Sequence, residues 1–251
     1  MEVFRIFDEE NHKNWLKGVV GLRLLQNLLE CFINKQIDIF HQALRRECSD
    51  VCGNKCHLKN WKLRPNQVPI LDCEVCSHWR DVIWTNNNSQ GGKVMWMNSE
   101  PHMWSQDKWE VAKVYMTGGH KNHKSIGQFD IVALLSLMTQ CNHFKKFKLG
   151  GLCEQVANVR NNIMHSPNYQ LKREELNGYL SQIRDLGEVL AKHDPVFKYL
   201  SGDINEAPVE MDIGRHAQAP INPDERIQLV AALPMALDFV AAIFMAVLSI
   251  L

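Results

Sequence analysis

Residues 152–192 read LCEQVANVRNNIMHSPNYQLKREELNGYLSQIRDLGEVLAK. Apolar residues recur at steps of three and four through most of this stretch, which is the period of a helix with one buried face. Pro167 interrupts the pattern, because proline disfavours helical backbone at the residue that precedes it. The stretch therefore predicts two helices, over about 152–166 and 171–192, whose short connection favours an antiparallel pair in a bundle.

The same period extends the bundle toward the N-terminus. It predicts helices over residues 12–46 and about 129–145. A further helix is expected after Ser105 and ends at Gly118 and Gly119, because glycine commonly terminates a helix. The predicted fold class is therefore all-α, a helical bundle.

The composition is that of an ordinary globular protein, with 251 residues, 45% of them apolar, and 28 basic and 28 acidic side chains. Zero net charge gives no strongly basic surface of the kind that attracts nucleic acids. The N-terminal residues lack the basic start and apolar run of a secretory signal. We therefore expect an intracellular protein that faces the cytoplasm, with reduced cysteines.

A cysteine cluster lies in residues 47–106, where the helical period fails. Cys52 and Cys56 form one close pair, Cys73 and Cys76 form another, and sixteen residues separate the two pairs. Two such knuckles are typical of a zinc site with four thiolate ligands, which orders a segment that has no large core. The role predicted for this zinc ion is structural, because four thiolates leave no position for water.

Other interpretations of these cysteines stay open. Cys48, His57 and His78 compete as ligands, and the cluster can instead consist of unpaired small hydrophobic residues. That second role is expected of three cysteines on apolar stripes: Cys31, Cys141 and Cys153. Six tryptophans surround the cluster, and we expect them to form its small core rather than a platform for bases: Trp61, Trp79, Trp84, Trp96, Trp104 and Trp109.

A second motif, VRNNIMHSP, places Arg160, Asn161 and His165 near the end of a predicted helix. Asn161 and His165 are four residues apart and share a face. Arg160 and His165 are five apart, which separates them by roughly 140° around a helix of about 100° per residue. Either the last turn is distorted before Pro167, or two copies of the motif complete each other across a two-fold interface.

The chemistry that this motif can support is cleavage of RNA without a catalytic metal. A histidine exchanges a proton near neutral pH, and an arginine fork stabilises the charge of a five-coordinate phosphate. The 2′-hydroxyl of the RNA is then the nucleophile. The alternative is a solvated helix face that ends in a histidine cap.

The runs FDIVALLSLMTQCNHF, at 129–144, and VANVRNNIMHSPNYQLKREEL, at 156–176, resemble the HEPN superfamily, in the form found in the DAZ-interacting zinc-finger ligase. Residues 12 to about 195 also resemble an uncharacterised animal family, the chromosome-X open-reading-frame thirty-eight-like proteins. This likeness includes KNWLKGVVGLRLL, CEVCSHW and WEVAKVYM.

The HEPN resemblance implies a helical bundle, commonly a homodimer, that binds or cleaves RNA. Arg160 matches the arginine of the superfamily motif, Asn161 its polar neighbour and His165 its histidine. Many superfamily members only bind RNA or are inactive, so the motif alone does not establish catalysis.

The C-terminal residues 229–251 form an apolar run that is long enough, at about 34 Å as a helix, to cross a bilayer. A membrane tail anchor is the first interpretation. Asp238, Pro234 and the lack of a basic flank favour the alternative, a helix folded back onto the bundle. Residues 201–226 have the Pro, Gly and acid content of a linker.

The sequence therefore predicts an RNA-binding HEPN-type protein, with possible activity as a metal-independent endoribonuclease. The second hypothesis is a non-catalytic dimerising adaptor that its tail tethers to a membrane. The predicted organisation has five parts: the first bundle helix (1–46), the zinc-stabilised insertion (47–106), the helical core (107–195), a linker (196–228) and the apolar C-terminal helix (229–251).

Overall fold

The computed structural model describes residues 9–54, 56–57, 67–88 and 94–206. Within these ranges the regular elements are all helical and no β-strand occurs, which confirms the all-α fold class. The α-helices are α1 (Glu10–Glu47), α2 (Glu74–Thr85), α3 (Lys108–Ala112), α4 (Ile131–Gln140), α5 (Leu152–Met164), α6 (Arg173–Ala191) and α7 (Leu200–Glu206). Short 3-10 helices lie at Trp96–Asn98, Pro101–Met103, Lys113–Tyr115, Ile126–Gln128, Asn142–Phe147, Pro167–Tyr169 and Pro195–Phe197.

Helix α1 is the element around which the others pack. It is 38 residues long and contacts α3, α4, α5, α6 and α7. Two glycines let it approach its neighbours closely, since a Cβ on Gly18 would lie 2.9 Å from Ile163 and one on Gly21 would lie 2.9 Å from Leu180. The start of α1 is therefore held against α5, which carries Arg160 and ends at His165, and against α6, which follows.

The predicted helix ends are close to the observed ones for α1, α5 and α6, but α4 is shorter than expected. It begins after Asp130, whose carboxylate accepts a hydrogen bond from the N–H of Ala133, and ends at Gln140. The chain continues as the 3-10 helix Asn142–Phe147, so the apolar residues of this part follow two different helical periods.

A helix lies inside the segment that was expected to be irregular. α2 follows Cys73 directly and buries Cys76, Trp79, Val82 and Ile83. The expectation that residues 47–106 lack helical order is wrong for this part. The helix expected after Ser105 is reduced to α3 and the 3-10 turn that follows it.

Two further expectations need correction. The first residues of the expected linker are helical, because α7 forms there and buries Leu200 and Ile204. Cys31, expected in the core, is exposed, whereas Cys141 and Cys153 are buried as expected. The rest of the expected linker and the apolar run 229–251 lie outside the described residues, among which no helix is long and apolar enough to cross a membrane.

Truncating the central helix tests this packing. Leu29 on α1 is fully buried, and Leu29→Ala is expected to lower the free energy of unfolding by about 2 to 5 kcal/mol, because it removes buried methyl groups and leaves a cavity. Ile39 on the same helix is 52% exposed, so Ile39→Ala should change it by less than about 1 kcal/mol. Urea unfolding of both variants measures the difference, and equal losses would contradict the central role of α1.

Candidate functional site

The two cysteine pairs come together in space. The sulfur atoms of Cys52, Cys56, Cys73 and Cys76 all lie within 4.8 Å of one another. The sulfur of Cys52 lies 3.5 Å from that of Cys56 and 3.8 Å from that of Cys73. A tetrahedral zinc ion with bonds of about 2.3 Å places its sulfurs about 3.8 Å apart. The arrangement therefore has the dimensions of a four-thiolate metal site.

Local structure prepares the cluster for a cation. Cys73 precedes the first turn of α2, and the backbone N–H groups of Cys76 and Val75 lower the pKa of its thiol. Loss of solvent around Cys56, together with the neighbouring thiol of Cys52, raises the pKa of Cys56 to about 11. Burial also raises the pKa of Cys76. Metal binding at this cluster must therefore displace protons, because the thiolate is the ligand form.

The competing ligands have other partners. His57 Nδ1 lies 3.2 Å from a carboxylate oxygen of Glu100, and His78 Nε2 lies 3.5 Å from the carbonyl oxygen of Glu47. Cys48 is buried, and its sulfur does not belong to the group of four that lie within 4.8 Å of one another. Among the described residues, the four predicted cysteines form the group of thiols whose sulfurs share one centre.

The described tryptophans near the cluster are mostly buried, as the core interpretation expects, and Trp61 lies outside the described residues. Trp79, Trp96 and Trp104 are each at most 1% exposed, and Trp84 stacks on Trp96 with ring centroids 6.4 Å apart. The indole of Trp79 donates to the carbonyl of Asp50, 3.4 Å away, beside the first cysteine pair. These indoles connect the cysteine segment to the helices and leave little ring surface for bases.

The second motif lies at the end of a regular helix. The N–H of His165 donates to the carbonyl of Asn161 at 3.0 Å, so the last turn of α5 is not distorted before Pro167. Arg160 lies with its guanidinium 3.6 Å from the carboxylate of Asp130 and 3.3 Å from the side-chain oxygen of Asn161. The arginine is therefore directed toward the start of α4.

His165 is exposed and lines an open cavity of about 540 Å³, bounded by the start of α1, the connection after α5, and α6. Most of the lining residues are polar, and they include Asn11, Asn162, Lys172, Glu175 and Tyr179 but neither Arg160 nor Asn161. One subunit therefore does not gather the three motif residues around a single atom.

The segment that carries His165 is tied to α1 by groups that sequence reasoning did not select. The carbonyl of Ile163 would normally accept from residue 167 in a continuing helix, but Pro167 has no N–H. The indole of Trp15 donates to this carbonyl at 2.8 Å. The amide of Asn14 donates to the carbonyl of Leu171 at 3.2 Å, which ties down the far end of the same segment. The missing donor at Pro167 was the signal that could have pointed to such a partner.

Comparison with known proteins assigns the chain to a family. A family described as a domain of unknown function (DUF4559) matches residues 5–222, which include the cysteine cluster and the His165 motif. The chain belongs to this family. The mouse (Mus musculus) protein named "Uncharacterized protein CXorf38 homolog" is 29% identical to it over 213 residues, which cover 76% of this chain and 62% of the mouse protein. The chain therefore spans about three fifths of the length of that relative.

These two matches confirm the resemblance to the chromosome-X open-reading-frame thirty-eight-like proteins. No solved structure matches the DUF4559 chain. The HEPN assignment, and with it the roles of Arg160, Asn161 and His165, stays a prediction.

The bond between Trp15 and Ile163 can be tested directly. Trp15→Phe keeps a large apolar ring but removes the N–H, so the carbonyl of Ile163 keeps only the N–H of Ser166, 3.3 Å away, and the free energy of unfolding should fall by about 0.5 to 1.5 kcal/mol. Hydrogen exchange should become faster in residues 165–171 under native conditions. The amides of α4 serve as the internal reference, and unchanged exchange in 165–171 would show that the bond does not hold the segment.

Proposed function

We propose that this protein binds RNA at the cavity lined by His165 and cleaves it without a catalytic metal. The observation that carries the proposal is the position of His165, which is exposed at the end of α5 and faces an open polar cavity. A histidine in the core or one paired to a neighbouring side chain would be a poor proton carrier for a bound substrate. The family assignment itself names no activity.

The cavity offers the groups that a phosphodiester needs. In the proposed reaction the 2′-oxygen bonds to phosphorus as the bond to the 5′-oxygen breaks, and His165 either takes the proton of the 2′-hydroxyl or gives one to the departing 5′-oxygen, with water carrying the other proton. The ammonium of Lys172 supplies a positive charge, which the carboxylate of Glu175 in the same lining offsets in part, and the side-chain amide groups of Asn11 and Asn162 can donate hydrogen bonds to phosphate oxygens. Tyr179 gives the same cavity an aromatic ring on which a base can stack.

Arg160 enters the reaction from a second copy of the chain in this proposal. The lining of the cavity does not include Arg160, which supports this arrangement, because a regular α5 directs the arginine and the histidine of one subunit to different sides. The bond between Arg160 and Asp130 joins side chains that are 29% and 50% exposed, so it stabilises by only about 0 to 1 kcal/mol and a phosphate can replace it. A two-fold interface would then form two equivalent sites.

The proposed activity has a direct test. The purified protein is incubated with single-stranded RNA and EDTA, and cleavage is followed on a gel. His165→Ala and Arg160→Ala are each expected to reduce the rate by about a hundredfold or more, because each removes one of the two catalytic groups. His78→Ala, which changes another exposed histidine outside the cavity, is the control. Circular dichroism verifies that every variant keeps its helices.

Mixing the two inactive variants distinguishes a shared site from one built within a subunit. Free exchange between equal amounts of Arg160→Ala and His165→Ala subunits makes half of the dimers mixed. One of the two shared sites in each mixed dimer keeps both groups, so about a quarter of the wild-type rate should return. No recovery despite exchange would reject the shared site, and a fully active His165→Ala variant would reject catalysis.

The position of Arg160 also favours a second candidate, the non-catalytic dimerising adaptor. Its guanidinium has two partners on the same subunit, Asp130 and Asn161, and so has a structural role without any substrate. RNA-independent dimerisation with no cleavage would support the adaptor. The membrane tether that belongs to this hypothesis rests on residues 229–251, outside the described part of the chain, and alkaline carbonate extraction of cell membranes tests it.

We also propose that Cys52, Cys56, Cys73 and Cys76 bind one structural zinc ion. The sulfur separations support this. Four thiolates are soft ligands that favour zinc over magnesium or calcium. The ion would join the chain at Cys52 and Cys56 to the start of α2.

Metal analysis tests the zinc proposal. Protein that has been dialysed against metal-free buffer should contain about one equivalent of zinc, and the double variant Cys73→Ser/Cys76→Ser should contain almost none and should melt at a lower temperature, because metal binding contributes to folding. Cys31→Ser removes an exposed cysteine outside the cluster and should retain the ion. A double variant with its zinc intact would refute this ligand set.

A further inference from the structure

A second group of metal-binding side chains lies beside the cysteine cluster. Donor atoms of His57, Glu100 and His102 all lie within 4.8 Å of one another. His57 Nδ1 is 3.2 Å from one carboxylate oxygen of Glu100, and the two imidazole rings are 5.8 Å apart at their centroids. The three residues come from two separate segments, since His57 directly follows Cys56, whereas Glu100 directly precedes the 3-10 helix Pro101–Met103 and His102 lies within it.

The orientation of His102 is set by a backbone group. Its Nδ1 lies 3.2 Å from the carbonyl oxygen of Cys56, and a carbonyl can only accept, so Nδ1 carries the hydrogen of this bond. In the neutral ring Nε2 then keeps its lone pair. Ligating histidines commonly donate their other N–H to a carbonyl in this way, which fixes both the tautomer and the direction of the ring.

Glu100 is also held in place. Its backbone N–H donates to the buried carboxylate of Glu110 at 2.8 Å, and its Oε1 lies 3.2 Å from the ammonium of Lys121. The other oxygen, Oε2, faces His57. The carboxylate therefore keeps one oxygen for its lysine partner and presents the other to the two imidazoles.

We propose that His57, Glu100 and His102 bind a second divalent transition-metal ion, of the kind represented by zinc. Two imidazoles and one carboxylate form a donor set that zinc accepts at about 2.0 to 2.2 Å, which places the donors about 3.4 Å apart in a tetrahedron. The pair His57 and Glu100 already has nearly this separation. The imidazole of His57 is 68% exposed, so its ring is free to rotate toward the ion.

This site differs in kind from the cysteine cluster. Three protein ligands leave one tetrahedral position open, and that position can hold water or a small anionic ligand. Cys56 connects the two centres, because its sulfur belongs to the cluster and its carbonyl orients His102. Binding at the second site therefore depends on an ordered cluster, whereas the cluster does not depend on the second site.

Lys121 keeps the affinity of the second site moderate. Its ammonium is bonded to Glu100 and repels an approaching cation. Lys121→Gln removes that charge and should tighten zinc binding by about three- to tenfold at low salt. A moderate affinity also explains why dialysed protein should retain only the ion of the cysteine cluster.

Calorimetric titration of zinc into the dialysed full-length protein tests the proposal. The wild-type protein should take up one further equivalent. His102→Ala and Glu100→Gln should each weaken this step by about tenfold or more, because each removes a ligand or its charge. His78→Ala is the matched control, since this exposed histidine is also next to the cluster but lies against the carbonyl of Glu47.

The controls separate this proposal from the others. Each variant is accepted only if it retains its first equivalent of zinc and its helical spectrum. Glu100→Gln preserves the shape of the site, so it tests the proposal even if His102→Ala fails to fold. The proposal is overturned if the wild-type protein binds no second equivalent of zinc. It is also overturned if both variants bind the second equivalent as tightly as the wild type. RNA cleavage is measured in EDTA, so its outcome is independent of this one.

Discussion

The hydrogen bond from the indole of Trp15 to the carbonyl of Ile163 is the interaction on which the candidate RNA site depends. It joins residues 148 positions apart and gives a buried carbonyl a second donor beside the N–H of Ser166, since Pro167 has no N–H to offer it. A hydrogen bond of this kind contributes about 0.5 to 1.5 kcal/mol. The first helix therefore helps to hold the end of α5, and the position of His165 depends on the docking of α1.

Sequence periodicity predicted the long helices because each buries a regular apolar stripe. α5 and α6 end within two residues of the positions expected from 152–192. α2 was missed although Cys76, Trp79 and Ile83 have helical spacing, because cysteine and tryptophan in this stretch indicated a knuckle. α7 is only seven residues long, and its packing through Leu200 and Ile204, rather than its own propensity, stabilises it.

In the candidate sites, too, the sequence predicted the contacts between residues that are close together in the chain and missed those that the fold brings together. Two short cysteine spacings were enough to predict a cluster, because the ligands of each pair are neighbours in sequence. Glu100 lies 43 residues after His57, and no spacing rule connects them. The angle between Arg160 and His165 followed from helix geometry and holds in a regular α5, but the partner of the arginine, Asp130, is set by the contact of α4 with α5.

Two hydrogen bonds of the Leu171 backbone limit insertions and deletions in the connection between α5 and α6. Its N–H donates to the carbonyl of Asn11, and its own carbonyl accepts from Asn14, so one residue is fastened to the first helix on both sides. Surface connections between helices usually tolerate insertions. Here both ends of the connection between Ile163 and Leu171 are bonded to α1, so a deleted residue would strain these bonds and an added residue would have to bulge outward.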